Sequence, residues 1–458
     1  MNGPGLTSGQ RLTVLLMIVA VIVVFAMLAG FVVTSLQSME STPLPSPSPL
    51  ASSSPAPLPS PSPAPSPISE EGIWSQVQAA RLFDQIAHQV ETARGLSPRA
   101  EIPLSFLGER EMTTLLRRIY TERAPEAQLL PYVALGLLPD DRIIVRAHQP
   151  AGVYVPEQEQ LYIAAGRPAD SDDDQAVLAH AHAHALQDQL FDLGAMDARA
   201  TTTDSRLAVE ALIEGDALLL TAFYRYGDPA AADWDHLTEL ILQAEQPDYG
   251  EGLDGNAVWK QLERFPYREG RWFAAALFQA GGWQAINRAY TAPPHSTEQV
   301  LHPERYLEGQ NSPTRVVVPD LGGALGAGWE LRLRDTLGEF VAGLYLGTLL
   351  PEEMAWQAAD GWCGDTFVAW EHEDEGRVRV WRTIWDTTAE AAEFERALVA
   401  MIPHRYTLAR LLSPPGDSQA QWWETGSGAV YVSRVARYVT FAELPNADLL
   451  ADVVEVLP

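Results

Sequence analysis

Three histidines lie within five residues in the stretch Val177–Gln189, and imidazole is the most common metal ligand among side chains. Alanine and leucine fill the positions between them, and nothing in the run breaks a helix. On a helix, His180 and His184 lie on the same face, whereas His182 points about 200° away from His180. Two imidazoles one helical turn apart are the bidentate half of a zinc site in proteins that carry a His-Glu-x-x-His motif. The spacing therefore predicts a metal-binding helix.

A pair of carboxylates follows in the run Glu210-Ala-Leu-Ile-Glu214-Gly-Asp216-Ala, in which Glu214 lies 30 residues after His184. Glu210 and Glu214 are one helical turn apart, and their neighbours are mostly Ala, Leu and Val. Carboxylates in so apolar a helix are more often paired or ligating than exposed. We therefore expect both to be engaged, with an ordinary exposed helix face as the alternative.

The stretch from His180 to Gln189 resembles the run His-Glu-x-x-His-Ala-Leu-Gln-Asp-Gln of a group of bacterial zincin-like metallopeptidases of the gluzincin type. The resemblance implies zinc as the metal, with His180, His184 and Glu214 as ligands. Glu210 would then be a residue that orients a histidine, or the alternate ligand. Ala181 stands where that family has its general-base glutamate. The resemblance therefore assigns the general-base role to no residue of this chain.

Two later motifs also resemble this family: Phe265-Pro-Tyr267-Arg-Glu269-Gly270, and the longer run from Pro293 to Pro303 that contains Ser-Thr-Glu-Gln and Leu-His-Pro. Zincins need a proton donor to an oxyanion near the metal, and His302 or Tyr267 is a candidate for that role. For each of them a hydrogen-bonded scaffold role is the alternative. The resemblance covers most of residues 140–400.

The elements that must position these residues follow from hydrophobic periodicity. Helices are expected at 74–93 and 109–124, and short strands at 143–145, 152–155 and 160–163. Beyond residue 336 the order is strand, strand, helix, strand, strand, helix, with strands at 366–372 and 378–385, a helix at 388–401 and two strands within 429–442. Four tryptophans of this part are expected in its core: Trp362, Trp370, Trp381 and Trp385.

These patterns predict an α+β fold class. Residues 71–335 would form a mostly helical zincin-like domain with a small edge sheet. Residues 336–458 would add a C-terminal α+β layer whose element order suggests a ferredoxin-like arrangement. An N-terminal transmembrane helix would precede both.

That helix is predicted at residues 12–34, where no charged residue occurs and the length suffices for a bilayer core of roughly 30 Å. A cleaved signal peptide is the alternative. Arg11 precedes the span and Glu40 follows it, so residues 1–11 would be a cytoplasmic tail. Residues 35–70, rich in Pro and Ser, would form a stalk. We therefore expect a single-pass protein of the cell membrane with extracytoplasmic folded domains.

The net charge of −29 disfavours nucleic acid and anionic membrane surfaces as partners. Cys363 is the only cysteine, so an intramolecular disulfide is excluded.

Three functions remain open. The first is a metal-binding pseudopeptidase that binds peptide, protein or envelope material but lacks the general base. The second is an active zinc metallopeptidase with a displaced base, and the third is an envelope scaffold without metal.

Overall fold

A computed structural model describes residues 76–123, 126–139, 150–165, 171–245, 257–309, 312–412 and 420–458. The predicted tail 1–11, span 12–34, stalk 35–70 and strand 143–145 lie outside these residues. Among the helices of the described ranges, none is long and apolar enough to cross a membrane.

The first part of the described chain consists of helices around a small sheet. Its elements are α1 (Gln76–Arg94), β1 (Leu104–Leu107), α2 (Glu109–Arg123), α3 (Glu126–Ala134), β2 (Gly152–Val155), β3 (Gln160–Ala164), α4 (Asp172–Phe191), α5 (Leu193–Arg199), α6 (Thr203–Tyr226), α7 (Trp234–Glu245), α8 (Ala257–Thr291), α9 (Thr297–Leu301), α10 (Pro303–Leu307) and α11 (Gly322–Leu325). In the sheet, β3 lies between β1, which is parallel to it, and β2, which is antiparallel. The expected strands at 152–155 and 160–163 are confirmed, and β1 is an additional strand.

The second part adds the larger sheet. Its elements are β4 (Glu330–Asp335), α12 (Gly338–Gly347), α13 (Glu352–Ala359), β5 (Trp362–His372), β6 (Gly376–Trp385), α14 (Thr388–Arg405), β7 (Arg410–Leu412), β8 (Gln421–Thr425), β9 (Gly428–Val435), β10 (Tyr438–Leu444) and α15 (Asp448–Val456). The strand order is β4-β5-β6-β10-β9-β8-β7, and every neighbouring pair is antiparallel.

The predicted fold class is therefore wrong. The molecule is a mixed α/β fold dominated by a seven-stranded antiparallel sheet, not a mostly helical domain followed by a small ferredoxin-like layer. The extra strands explain the error. β4 and β7 are the edge strands and are largely exposed, so their sequences lack the apolar run that marks a buried strand. β8 is only half-buried.

Each face of the large sheet packs on a different set of helices, because side chains alternate along each strand. One face, with Phe367, Trp381 and Phe441, shares a core with the helical part and α14. The other face, with Val368 and Val380, packs on α11 and α15. All described residues belong to one compact unit, Ser69–Pro458. The expected burial of the four tryptophans is confirmed, since none is more than 7% exposed.

The helices α4 and α6 have well-defined ends. The Ser171 side chain accepts a hydrogen bond from the Asp174 backbone, and three aspartates in the first turn suit the positive end of the α4 dipole. Thr202 and Ser205 form a reciprocal capping box at the start of α6, which ends at Gly227 with φ of 72°. These caps define where α4 begins and where α6 begins and ends.

A glycine contact sets the distance between α6 and α8. A Cβ on Gly215 would lie 2.0 Å from the carbonyl oxygen of Gly270, and one on Gly270 would lie 2.2 Å from that of Ala211. Backbone atoms meet backbone atoms here, so any side chain would force the helices apart. Gly215 directly follows Glu214, and the contact therefore positions the turn that carries this carboxylate.

Candidate metal centre

His180 and His184 of α4 face Glu214 of α6. The two Nε2 atoms are 3.0 Å apart, and Glu214 Oε2 lies 3.3 Å from Nε2 of His180 and 3.4 Å from that of His184. His180 is fully buried, and the other two side chains are less than a fifth exposed. The structure thus brings together the three residues to which the resemblance assigns zinc.

These distances fit a zinc ion. With Zn–N near 2.0–2.1 Å and Zn–O near 2.0–2.2 Å, two ligand atoms at a tetrahedral centre are roughly 3.3 Å apart. The three observed separations, 3.0–3.4 Å, match the edges of such a tetrahedron. A set of two histidines and one carboxylate also leaves a fourth position open, as catalytic zinc sites do.

Gln187 fixes the tautomer of His184. The amide nitrogen of Gln187 donates to the carbonyl of Ile213 at 3.0 Å and to Asp216 Oδ2 at 3.1 Å, so its oxygen must face the histidine. That oxygen lies 2.9 Å from His184 Nδ1, which therefore carries the proton. Nε2 of His184 is left as an acceptor.

Thr221 has the same effect on His180. Its hydroxyl donates to the Ala217 carbonyl at 2.7 Å and so accepts from His180 Nδ1 at 3.4 Å. Nε2 of His180 is then an acceptor as well. Three acceptor atoms within 3.4 Å of one another repel unless a cation lies among them, whether a metal ion or a proton.

A buried network of hydrogen bonds and an ion pair holds the Gln187 amide in its orientation. Asp216 is fully buried and accepts from Gln187, from the Tyr290 hydroxyl at 2.8 Å and from Arg94 Nη2 at 3.3 Å. Burial, followed by the Asp216 charge, raises the pKa of Tyr290 well above its ordinary value, so Tyr290 keeps its proton as a donor. Residues of α1, α4, α6 and α8 thus hold one histidine in place.

His182 lies on another side of α4, against α1. Its Nε2 is 3.2 Å from Glu91 Oε1, and its ring meets Phe83 edge-on at 5.4 Å. Burial lowers the pKa of His182 to about 4, so the ring is neutral near pH 7. Ala181, at the position where the resembling family has its base, is 1% exposed and belongs to the apolar core around α4.

A cleft of about 570 Å³ reaches His184 and Glu214. Its volume lies in the range of small-ligand sites. Glu210 and Tyr267 line it, as do Val153 and Tyr154 of the edge strand β2. Five acidic side chains and one arginine contribute to the lining, which makes the cleft acidic: Glu157, Asp197, Glu210, Glu214, Glu263 and Arg206.

The structure does not place His302 with the other predicted site residues. It lies between α9 and α10, does not line the cleft, and its Nε2 is 2.9 Å from Glu339 Oε1. Tyr267, the other candidate donor, lines the cleft and is 3% exposed.

Sequence reasoning missed the residues that orient the histidines. Gln187 and Asp216 stand inside the two resembling motifs, and Thr221 follows Glu214 at a helical spacing of seven, so a signal existed for these three. Arg94 and Tyr290 come from distant helices, and no local pattern indicates them.

A family model described as a domain of unknown function (DUF8575) matches residues 330–454, which run from the first residue of β4 into α15. The match covers the seven-stranded sheet but not the α4–α6 centre. No curated protein and no solved structure matches the chain.

Proposed function

We propose that this protein binds a zinc ion through His180, His184 and Glu214 and acts as a pseudopeptidase that holds peptides without hydrolysing them. The observation that carries the proposal is the triangle of three acceptor atoms, with both histidines held as Nδ1–H tautomers by Gln187 and Thr221. Zinc would supply Lewis-acid polarisation of a bound carbonyl group.

The loss of hydrolysis is proposed from the alanine at the base position. A general base contributes roughly 10²- to 10⁴-fold to such a reaction, and Ala181 has no proton-accepting group. His182 does not replace it, because its ring packs against α1. The remaining role is binding.

The cleft indicates the kind of ligand. Its acidic side chains favour a cationic partner, and its apolar ones, such as Leu116, Leu129 and Ile213, favour hydrophobic side chains. A peptide with basic and apolar residues fits both properties. Because a membrane span is predicted at residues 12–34 with the folded domains outside the cytoplasm, we propose that the protein binds this ligand outside the cell membrane.

A second candidate function is an active peptidase with a displaced base. It is favoured by one observation: Glu210 lines the same cleft one helical turn before Glu214. Glu210 would then accept the proton that the general-base glutamate accepts in the resembling family.

The test measures zinc per full-length chain by mass spectrometry. We expect His180→Ala to hold one zinc ion fewer than the natural chain, while His182→Ala, on the same helix but facing α1, keeps the natural content. Equal zinc content in the natural chain and His180→Ala would refute the metal centre.

Peptide hydrolysis then separates the two functions. We expect no cleavage of basic, apolar peptides by the natural chain and measurable cleavage by Ala181→Glu. Cleavage by the natural chain that is lost in Glu210→Gln would establish the displaced base and overturn the pseudopeptidase.

A further inference from the structure

A second group of metal-ligating side chains lies where α9, α10, α12 and α13 meet. His302 Nε2 is 2.9 Å from Glu339 Oε1 and 3.7 Å from Asp360 Oδ1. One ligand atom from each of the three residues lies within 4.8 Å of the others. None of these residues lines the cleft beside the α4–α6 centre.

Glu339 supplies an independent sign of a missing partner. Its side chain is only 4% exposed, and Oε1 is engaged by His302. Its second oxygen, Oε2, is buried and has no hydrogen-bond donor among the described residues. A carboxylate oxygen buried in this way is normally satisfied by a donor or a cation.

The surrounding charges do not provide that cation. Arg305, which lies beside the group, is already engaged by Glu298 and by Asp386, the latter at 2.9 Å. Glu304 adds a further carboxylate, 3.9 Å from His302 Nδ1. Carboxylates therefore outnumber the positive charges around this imidazole.

We propose that His302, Glu339 and Asp360 bind a second divalent cation of the zinc class. One imidazole and two carboxylates form a donor set that suits zinc better than calcium or magnesium, which prefer oxygen alone. A tetrahedral zinc site has edges of roughly 3.3 Å. The 2.9 Å between His302 Nε2 and Glu339 Oε1 is close to such an edge, and the exposed Asp360 side chain would need to move towards the imidazole from its present 3.7 Å.

The position of the group indicates its role. His302 stands between two short helices of the helical part, whereas Glu339 belongs to α12 and Asp360 directly follows α13, in the segment that leads into the β5–β6 hairpin. An ion held by all three residues ties these segments together. The second cation is thus a structural clamp, separate from the peptide cleft.

The experiment uses the full chain carrying His180→Ala, stripped of metal and then equilibrated with zinc alone. We expect one zinc ion per chain, and a higher unfolding midpoint with zinc than without it. Adding Asp360→Asn, an exposed and conservative change, should weaken zinc binding at least about tenfold. Glu339→Gln should also weaken zinc binding, although its amide oxygen can still accept a hydrogen bond from His302.

The matched control is His295→Ala, which removes an exposed histidine of the same motif and should leave zinc binding unchanged. Absence of zinc from the His180→Ala chain would overturn the clamp and leave a histidine–glutamate ion pair in its place. Unchanged zinc affinity in Asp360→Asn would overturn it too. Neither result bears on the α4–α6 centre. That centre is tested separately, by the difference in zinc content between the natural chain and His180→Ala.

Discussion

Carboxylates at two places along α6 meet different kinds of neighbour. At its start, Asp204, Asp335 and Asp365 accept hydrogen bonds from the protein's own donors. Asp365 accepts from the backbone of Leu337 and Gly338 and from the Trp362 indole, at 2.9–3.0 Å. In the middle of α6, Glu214 faces two imidazole nitrogens that are acceptors themselves.

The difference shows that burial alone does not mark a functional carboxylate. Burial raises the pKa of Asp204 to about 8 and that of Asp365 to about 7, yet both act as structural acceptors at the joint with the large sheet. What distinguishes Glu214 is the chemistry of its neighbours. Donors around a carboxylate complete a structure, whereas acceptors around it require a cation.

Asp365→Ala tests the structural side and should have the largest effect. It leaves three buried donors without their acceptor, so we expect the free energy of unfolding to fall by about 3–5 kcal/mol. Urea unfolding measures the change, with the exposed Asp452→Ala as control. A loss below about 1 kcal/mol would mean that water replaces the carboxylate, and the contrast between the two places would weaken.

Glu214→Gln tests the metal side. Without zinc the variant should unfold much like the natural chain. Zinc at 100 times its dissociation constant stabilises a binding protein by about 2.7 kcal/mol, and this increment should disappear from the site in the variant. Thermal unfolding with and without zinc in the His302→Ala background, which lacks the imidazole of the second site, isolates the α4–α6 centre. A full zinc increment in Glu214→Gln would exclude this carboxylate as a ligand.

The pH dependence of stability sharpens the contrast further. Because the folded pKa of Asp204 is raised to about 8, its protonated form stabilises the fold below the unfolded pKa, and this contribution is lost as pH rises towards 8. In the natural chain the unfolding free energy should therefore fall between about pH 5 and 8. In Asp204→Asn the slope of this fall should be smaller, by at most about 1.4 kcal/mol per pH unit. Parallel curves for the variant and the natural chain would contradict a protonated Asp204; Asp452→Asn is the control.

Thr221→Val should have the smallest effect. The side chain keeps its shape but loses the oxygen that receives His180 Nδ1–H across 3.4 Å. We expect a loss of about 1 kcal/mol in zinc binding, or roughly fivefold in affinity, with little change in metal-free stability. Calorimetric titration measures it. An unchanged affinity would show that burial alone holds the His180 ring.

How far the sequence predicts the site depends on how local each contact is. His180 and His184 are recognisable from their spacing because both stand on one helix. Glu214 belongs to another helix, and only its resemblance to a known motif pairs it with them. The Arg94 and Tyr290 contacts to Asp216 join segments 74–122 residues apart, and no periodicity encodes such a meeting.

The elements of the fold are likewise predictable only where their contacts are local in sequence. The β5–β6 hairpin and the β9–β10 hairpin are predictable, because their strands are apolar and adjacent in sequence. The pairing of β6 with β10, which joins the two hairpins into one sheet, spans α14 and three strands. Edge strands such as β4 bury too few side chains to be recognised as strands from the sequence. The long-range pairing therefore could not be inferred from local pattern.

The contact between Gly215 and Gly270 also has a consequence for ancestry. Both positions exclude every side chain for steric reasons alone, whatever happens to the metal ligands around them. A lineage that replaced His180 or Glu214 would still have to keep both glycines to retain the helix pair. We therefore expect the two glycines to persist among distant relatives longer than the ligands do, and to be the better marker for finding those relatives.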